Sequence, residues 1–176
     1  MRLLLGCWLL EACLLVVFPR PAKAVDVTGG ASLGGLLAGN FPRLAVTPHV
    51  GVAWRWEGGF LIEVHDLCSI LPVGSALGVG VYNQTSGALG YASEKATFGL
   101  GPSVSIYAMH ACGPALCGRA IGLAPGGQAD VSYFFAGVLG VSIHASVAWL
   151  GGKSLVLPRG VSAMVVAGPV LRWRSE

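Results

Sequence analysis

The last strand-like stretch of the chain, residues 160–173, constrains the fold more than any other feature. Apolar residues recur there with a period of two: Ala163, Val165, Ala167, Pro169, Leu171 and Trp173. Arg172 and Arg174 fall on the opposite face, because successive side chains of a β-strand point to opposite sides. The pattern predicts a β-strand with one apolar face that ends on an aromatic residue.

The same alternation recurs in four earlier stretches: residues 44–56, 60–70, 97–109 and 139–149. Residues 131–150 contain no charge and are long enough for a transmembrane helix. A helix would mix the apolar and polar classes around its circumference, so the period of two favours strands. Charges such as Arg55 and Glu63 are also easier to place in a barrel lumen than in a helix at mid-bilayer. A helical bundle is therefore the weaker alternative.

The low charge content limits where such strands can lie. Charged residues make up 11% of the chain and apolar residues 54%, with 27 glycines. A soluble domain has about a quarter of its residues charged. Much of the outer surface is therefore predicted to face something other than water.

Residues 1–24 have the pattern of a secretory signal peptide. Arg2 precedes an apolar core at residues 3–18, and Ala22-Lys23-Ala24 is a small-x-small cleavage site. Removing this segment leaves one predicted domain, residues 25–176, with eight basic and seven acidic residues. Nucleic acid is not an expected partner, because its binding needs a concentrated basic face.

A signal peptide followed by alternating strands, the last ending on Trp173, resembles the small bacterial outer-membrane β-barrel proteins. The resemblance implies an all-β fold, an eight-stranded antiparallel up-and-down transmembrane β-barrel. Gly, Pro and Asn residues mark the breaks between strands. The predicted strands are residues 26–38, 44–56, 59–70, 74–83, 95–109, 119–135, 138–150 and 160–174.

The resemblance also implies an orientation and a set of partners. With both termini in the periplasm, residues 57–59 and 136–137 become short periplasmic turns, and 83–94 a longer periplasmic connection. Residues 110–127 and 151–159 become extracellular loops. Outer-membrane lipids and the envelope assembly machinery are the implied partners, and the sequence identifies no extracellular ligand.

An eight-stranded barrel encloses a lumen that side chains can fill. The period of two places these residues inside: Thr47, His49, Arg55, Glu63, His65, Tyr107, His144, Ser146 and Arg172. A predicted lumen network joins His49, Arg55, Glu63, His65 and Arg172, with arginine and glutamate paired. This predicts a plugged barrel. A narrow solute channel is the alternative, because the glycine-rich strands leave some space unfilled.

His144 and Ser146 are the one pair with a catalytic pattern. Residues i and i+2 of a strand point the same way, so the imidazole can approach the hydroxyl as a general base. The pair resembles that of outer-membrane lipid A deacylases, where it faces lipid and a carboxylate orients the histidine. Here the pair is on the polar face, and only Glu63, Asp66 or Asp130 could complete a triad. The prediction is a non-enzymatic barrel of structural or surface-binding type, with a lipid-modifying enzyme as an alternative.

Cys112 and Cys117 flank a Gly-Pro segment and are predicted to form a disulfide bond in an oxidising envelope. His110 is the only further metal-binding side chain nearby, so neither a metal site nor a cofactor is predicted. The role of Cys68 is open.

Four tryptophans fall on predicted outward faces near strand ends: Trp54, Trp56, Trp149 and Trp173. They are predicted to be membrane-interface aromatics. The alternative is that they form the core of a soluble β-sandwich.

Overall fold

The computed structural model describes residues 22–38, 41–71, 80–112, 117–151 and 160–175, with the side chains of 38, 41–42, 109–112 and 117–120 excepted. Nearly all of the predicted signal peptide lies outside these residues and stays a prediction. Among the described residues, no helix has the length and apolar character needed to cross a membrane.

Eight strands account for most of the described chain. They are β1 (Ala24–Ala38), β2 (Phe41–Arg55), β3 (Phe60–Leu71), β4 (Gly80–Ala92), β5 (Ala96–Cys112), β6 (Cys117–Phe134), β7 (Leu139–Leu150) and β8 (Gly160–Ser175). A single 3-10 turn, Glu57–Gly59, joins β2 to β3. Gly58 and Gly59 have φ angles of 83° and 86° there, a left-handed conformation that glycine adopts without steric cost.

The strands form one closed antiparallel barrel in chain order. Closure is made by β1 and β8, whose register pairs Val27 with Trp173 and Leu36 with Met164. We call the end that carries Ala24 and Ser175 the terminal end and the opposite end the distal end. The predicted eight-stranded antiparallel barrel is confirmed, and the helical-bundle and sandwich alternatives are wrong.

The predicted alternation of faces is present on the strands. Large apolar side chains on the outer face are 40–63% exposed, among them Leu44, Leu100, Ile143 and Val165. Their inward neighbours are buried: small or polar at positions such as Ser142, and apolar at positions such as Met164. A closed barrel satisfies every ladder hydrogen bond internally, so an apolar outer face needs no polar edge.

The fourth strand differs from its prediction. Residues 74–83 were expected to form it, but β4 spans Gly80–Ala92 and only residues 93–95 join it to β5. The long periplasmic connection expected at 83–94 is therefore wrong. Polar residues and glycines made this segment resemble a loop, yet Gln84 and Ser86 point into the lumen.

The sixth strand begins inside the segment that was expected to be a loop. Residues 110–127 were predicted to be an extracellular loop, but β5 continues to Cys112 and β6 begins at Cys117. Pro125 and the following glycines suggested a loop. In the barrel, Gly126 lies where a Cβ atom would collide with the backbone of Val147 on β7, so close strand packing explains that glycine.

Candidate functional site in the barrel interior

The distal half of the lumen is filled by apolar side chains. All eight strands contribute to this group, which we call the apolar plug: Leu36, Ala45, Leu67, Leu71, Tyr82, Tyr107, Ala124, Ala148, Leu150, Met164 and Val166. Tyr82 and Tyr107 are opposite each other in the β4–β5 register and are 1% and 2% exposed. Both rings are buried in the lumen at this level, where mostly polar side chains were expected, and the Tyr107 ring lies against Gly122 of β6.

The hydroxyl groups within the plug have local partners. Thr47 Oγ1 and Ser69 Oγ are hydrogen-bonded at 2.9 Å, and the Ser69 hydroxyl also lies 3.3 Å from Met164 Sδ. Thr47 was predicted to point inward and is fully buried. Because a buried hydroxyl is costly only when it has no partner, these groups are compatible with an apolar surrounding.

Nearer the terminal end, five ionisable side chains form what we call the polar cluster: His49, Glu63, His65, Asp130 and His144. All are buried, with exposures of 1–7%. His65 Nε2 lies 3.7 Å from Glu63 Oε2. The His144 ring centroid is 4.8 Å from that of His49 and 5.5 Å from that of His65. The side chains of four different strands therefore meet at one level of the lumen.

Inward-facing glycines provide the space for this cluster. A Cβ atom on Gly51 would collide with the His65 imidazole, and one on Gly99 would collide with Glu63 Oε1 and approach Asp130 Oδ1. A Cβ atom on Gly30 would lie 2.9 Å from the His49 ring. Small residues opposite large ones are what a narrow barrel needs in order to accommodate polar side chains.

Charged residues at the terminal end form a separate group, the terminal ion network of Asp26, Arg55 and Arg174. Arg174 Nε donates to Asp26 Oδ1 at 2.7 Å, and Arg55 Nη1 lies 3.4 Å from Asp26 Oδ2. Arg55 also donates to the Ser93 carbonyl. A cavity of about 480 Å³ opens beside this network.

Arg172 donates hydrogen bonds to backbone carbonyls of two turns at the terminal end. Its guanidinium lies 3.8 Å from the Phe134 ring centroid and donates to the carbonyls of Gly137 at 2.8 Å and Glu94 at 3.0 Å. The expected arginine–glutamate pairing is not formed by the two lumen arginines, since Arg55 pairs with Asp26 and Arg172 binds carbonyls. The five predicted network residues thus lie in three separate groups.

Asp26 and Asp130 were not among the predicted network residues. Asp130 was predicted only as a possible triad acid. The available signal was the alternation itself, since the buried Gln128, Asp130 and Ser132 alternate along β6 with the exposed Val131 and Tyr133. Asp26 alternates in the same way between Val25 and Val27.

His144 and Ser146 are both buried in the lumen, with exposures of 3% and 6%. Neither imidazole nitrogen of His144 has a hydrogen-bond partner among the described residues, so no bond links His144 to the Ser146 hydroxyl. Asp130 is opposite His144 in the β6–β7 register, but neither of its carboxylate oxygens has a partner there. The three groups are not linked as a catalytic triad requires.

The outward tryptophans lie at both ends. Trp173 and Trp149 are 54% and 58% exposed, the first near the terminal end opposite Val27 and the second near the distal end. Trp54 is half-buried on β2, and the half-buried Trp56 lies just before the first turn with its ring centroid 5.7 Å from that of Phe60. Their role at a membrane interface stays a prediction.

The backbone register places Cys112 directly opposite Cys117. Their side chains lie outside the described residues, and the disulfide bond stays a prediction. Cys68, on β3, is half-buried and has a free thiol.

The solved structures to which this chain is similar share its barrel architecture. Neisserial surface protein A is 12% identical over 86% of this chain and 99% of its own, with a TM-score of 0.57. The N-terminal β-barrel domain of Pseudomonas aeruginosa OprF and the attachment invasion locus protein Ail of Yersinia pestis are each 8% identical. Each covers 88% of this chain and all of its own, with a TM-score of 0.57.

These identities show the fold alone. The chain has the architecture of the small eight-stranded outer-membrane barrels. No protein-family model matches the sequence, and no curated protein matches it.

Proposed function

We propose that this protein is a non-enzymatic outer-membrane β-barrel of structural or surface-binding type with a side-chain-filled lumen. The observation that carries the proposal is the apolar outer face of a closed barrel. A soluble monomer seldom exposes an apolar patch larger than a few hundred Å², whereas a membrane barrel needs an outward apolar band. The solved barrels that share the fold are outer-membrane proteins, which also supports this location.

The apolar plug supports a closed lumen. Leu67, Tyr82 and Met164 are each at most 1% exposed, and their packing leaves little room for a water column at that level. Eight-stranded barrels generally have interiors that side chains can fill. A channel would need these side chains to move aside.

The burial of His144 and Ser146 supports a non-enzymatic role. A lipid in the surrounding bilayer contacts the outer face, while this pair faces the lumen below the plug. Ser146→Ala is therefore expected to leave the composition of lipid A and phospholipids unchanged on overexpression. A lipid species that depends on Ser146 would contradict the proposal.

If the protein binds a surface ligand, the strand connections at the distal end are where we expect contact. With both termini in the periplasm, the distal end of the barrel faces outward from the cell. The predicted extracellular loop at 151–159 lies, apart from its first residue, outside the described residues and stays a prediction. Loops on a rigid scaffold commonly carry recognition. The predicted disulfide between Cys112 and Cys117 would hold one of these connections closed.

The first experiment combines membrane fractionation with gel mobility. The unboiled protein is expected to migrate faster than the boiled protein and to cofractionate with outer-membrane markers. A soluble protein, or one without a mobility shift, would overturn the assignment.

Planar-bilayer recording tests the closed lumen separately. The purified wild-type barrel is expected to show no discrete conductance. A Tyr82→Ala/Tyr107→Ala variant, which removes both rings of the plug, is expected to conduct small ions. The matched control is the double variant Leu100→Ala/Ile106→Ala on the lipid-facing side, which should show no discrete conductance. Discrete conductance by the wild type would favour a channel instead.

A further inference from the structure

The polar cluster has the composition of a metal site rather than of a hydrogen-bonded network. Glu63, His65 and Asp130 each offer one ligand atom, and these atoms all lie within 4.8 Å of one another. His144 is opposite Asp130 in the β6–β7 register, and its ring meets that of His65 edge-on. We propose that the barrel binds one divalent transition-metal ion, such as Zn²⁺, through Glu63, His65, Asp130 and His144.

The unpartnered atoms of the cluster are the first argument. Among the described residues, no hydrogen bond reaches Glu63 Oε1, either oxygen of Asp130, His65 Nδ1 or either nitrogen of His144. Buried polar groups almost always have partners, and buried charges are paired or bind metals. By contrast, Asp26 in the same lumen is held by two arginines. The polar cluster contains carboxylates without an equivalent cation.

The ligand types are the second argument. Imidazole nitrogen and carboxylate oxygen together suit Zn²⁺ and other first-row divalent ions. Ligand atoms around Zn²⁺ at about 2.1 Å lie about 3.4 Å apart in a tetrahedral site. The ligand atoms of Glu63, His65 and Asp130, which lie within 4.8 Å of one another, therefore need side-chain movements on the order of 1 Å to close on an ion. His144, whose ring centroid is 5.5 Å from that of His65, completes the set by rotating its ring toward them.

Close packing against two glycines is the third argument. A Cβ atom on Gly99 would collide with Glu63 Oε1 and approach Asp130 Oδ1, and one on Gly51 would collide with the His65 ring. Glycine at both positions therefore lets the three ligand side chains share one small region of the lumen, as a common ion requires. The proposal does not depend on the outer-membrane location, because it rests on the lumen geometry alone.

The test measures Zn²⁺ and Co²⁺ binding to the full barrel refolded in detergent. The metal is present during refolding, because the apolar plug closes one end of the lumen. The expected result is about one ion per chain, with visible Co²⁺ absorption bands typical of nitrogen and oxygen ligands. Cysteines are alkylated first, because Cys68 and the two distal cysteines could bind zinc through sulfur.

Two isosteric variants separate the proposed site from adventitious binding. Asp130→Asn should weaken Zn²⁺ binding by at least about tenfold, since a ligand change costs more than the change of an outer-shell partner. Asp66→Asn is the matched control, because Asp66 lies away from the cluster and accepts bonds from Asn83 and Thr85. It should bind as the wild type does. Heat-modifiable mobility verifies that each variant is folded.

A second pair of variants tests the site without changing a ligand. Gly99→Ala places a methyl group between the Glu63 and Asp130 carboxylates, whereas a Cβ atom on Gly87 meets nothing within 4 Å. Gly99→Ala should lose zinc binding and Gly87→Ala should retain it. Equal binding by Asp130→Asn, Gly99→Ala and the wild type would show an adventitious ion only. No uptake by the folded wild type would mean that protons and water satisfy the cluster, and either result overturns the proposal.

Discussion

The apolar plug and the polar cluster occupy the same lumen, but they solve the problem of burial in opposite ways. In the plug, packing of aliphatic and aromatic side chains fills the barrel, and the hydroxyls of Thr47 and Ser69 bond to each other. In the polar cluster, carboxylates and imidazoles are equally buried, yet several of their atoms have no partner among the described residues.

The plug therefore contributes mainly to folding stability, whereas the polar cluster offers groups that could bind a ligand. Close-packed apolar side chains gain free energy from burial and dispersion. Unpartnered polar groups in a low-dielectric interior cost free energy, a cost that the proposed metal ion would offset. The plug is therefore expected to dominate folding, and the polar cluster to dominate any response to a bound ion.

The largest effect is expected in the plug. Leu67→Ala should lower the free energy of unfolding by about 3–5 kcal/mol, because it removes buried methylenes and leaves a cavity in a closed lumen. Leu100→Ala is the matched control on the outer face, where lipid or detergent fills the gap and the loss should be about 2 kcal/mol. Urea titration of the barrel in lipid vesicles, followed by tryptophan fluorescence, measures both. Equal losses would mean that the plug is loosely packed.

The terminal ion network should rank second. Asp26→Asn removes the carboxylate that binds both Arg55 and Arg174. The free energy of unfolding should fall by about 2–4 kcal/mol, because breaking a buried ion pair leaves the arginine charges uncompensated. The partial exposure of Arg174 reduces this cost. The same titration gives the value. A change below about 0.5 kcal/mol, as at an ordinary surface site, would argue that solvent already satisfies both arginines.

A glutamine pair between the plug and the polar cluster allows a finer test. Gln84 Nε2 donates to Gln128 Oε1 at 3.0 Å, while the other amide atoms of the pair have no partner among the described residues. Gln128→Leu alone should cost about 2 kcal/mol, because it leaves the Gln84 amide unpaired. The double variant Gln84→Leu/Gln128→Leu should recover most of this loss, since it extends the plug. A double variant worse than the single one would show that water is essential at this level.

The smallest effect is expected at Arg172. Lysine at this position keeps the charge but loses the planar guanidinium that stacks on Phe134 and donates to Gly137 and Glu94. Arg172→Lys should cost about 1 kcal/mol. In a Phe134→Leu background the same substitution should cost less, which the two unfolding curves compare directly. An unchanged cost there would assign the effect to the carbonyl bonds alone.

Most of the fold followed from local patterns. Strand β7 was predicted within one residue of its observed bounds, because its apolar and polar residues alternate with a break only at Ala145. Strand β4 was misplaced, because its polar residues and glycines resemble a turn until the neighbouring strands are present. Gly90 illustrates this: a Cβ atom there would collide with the backbone of Phe98, a contact that the local sequence does not reveal.

The sequence predicted which residues of the polar cluster point inward, but not which of them meet. Alternation placed His49, Glu63, His65 and His144 on inward faces, but it gave no information about level along the barrel axis. Level depends on strand register and on the stagger between strands, which are properties of the closed sheet. For this reason the expected arginine–glutamate pairing was wrong for Arg55, whose partner is Asp26.

The sequence by itself determined that the chain forms alternating strands with an apolar outer face, because the two-residue period of a strand is local geometry. Tertiary structure decided which inward side chains meet. Asp130 of β6 is paired with Gly99 in the β5–β6 register, and the curved sheet of the barrel brings Glu63 of β3 against both. The separation of an apolar plug from a polar cluster has the same origin, since it depends on long-range register rather than on neighbouring residues.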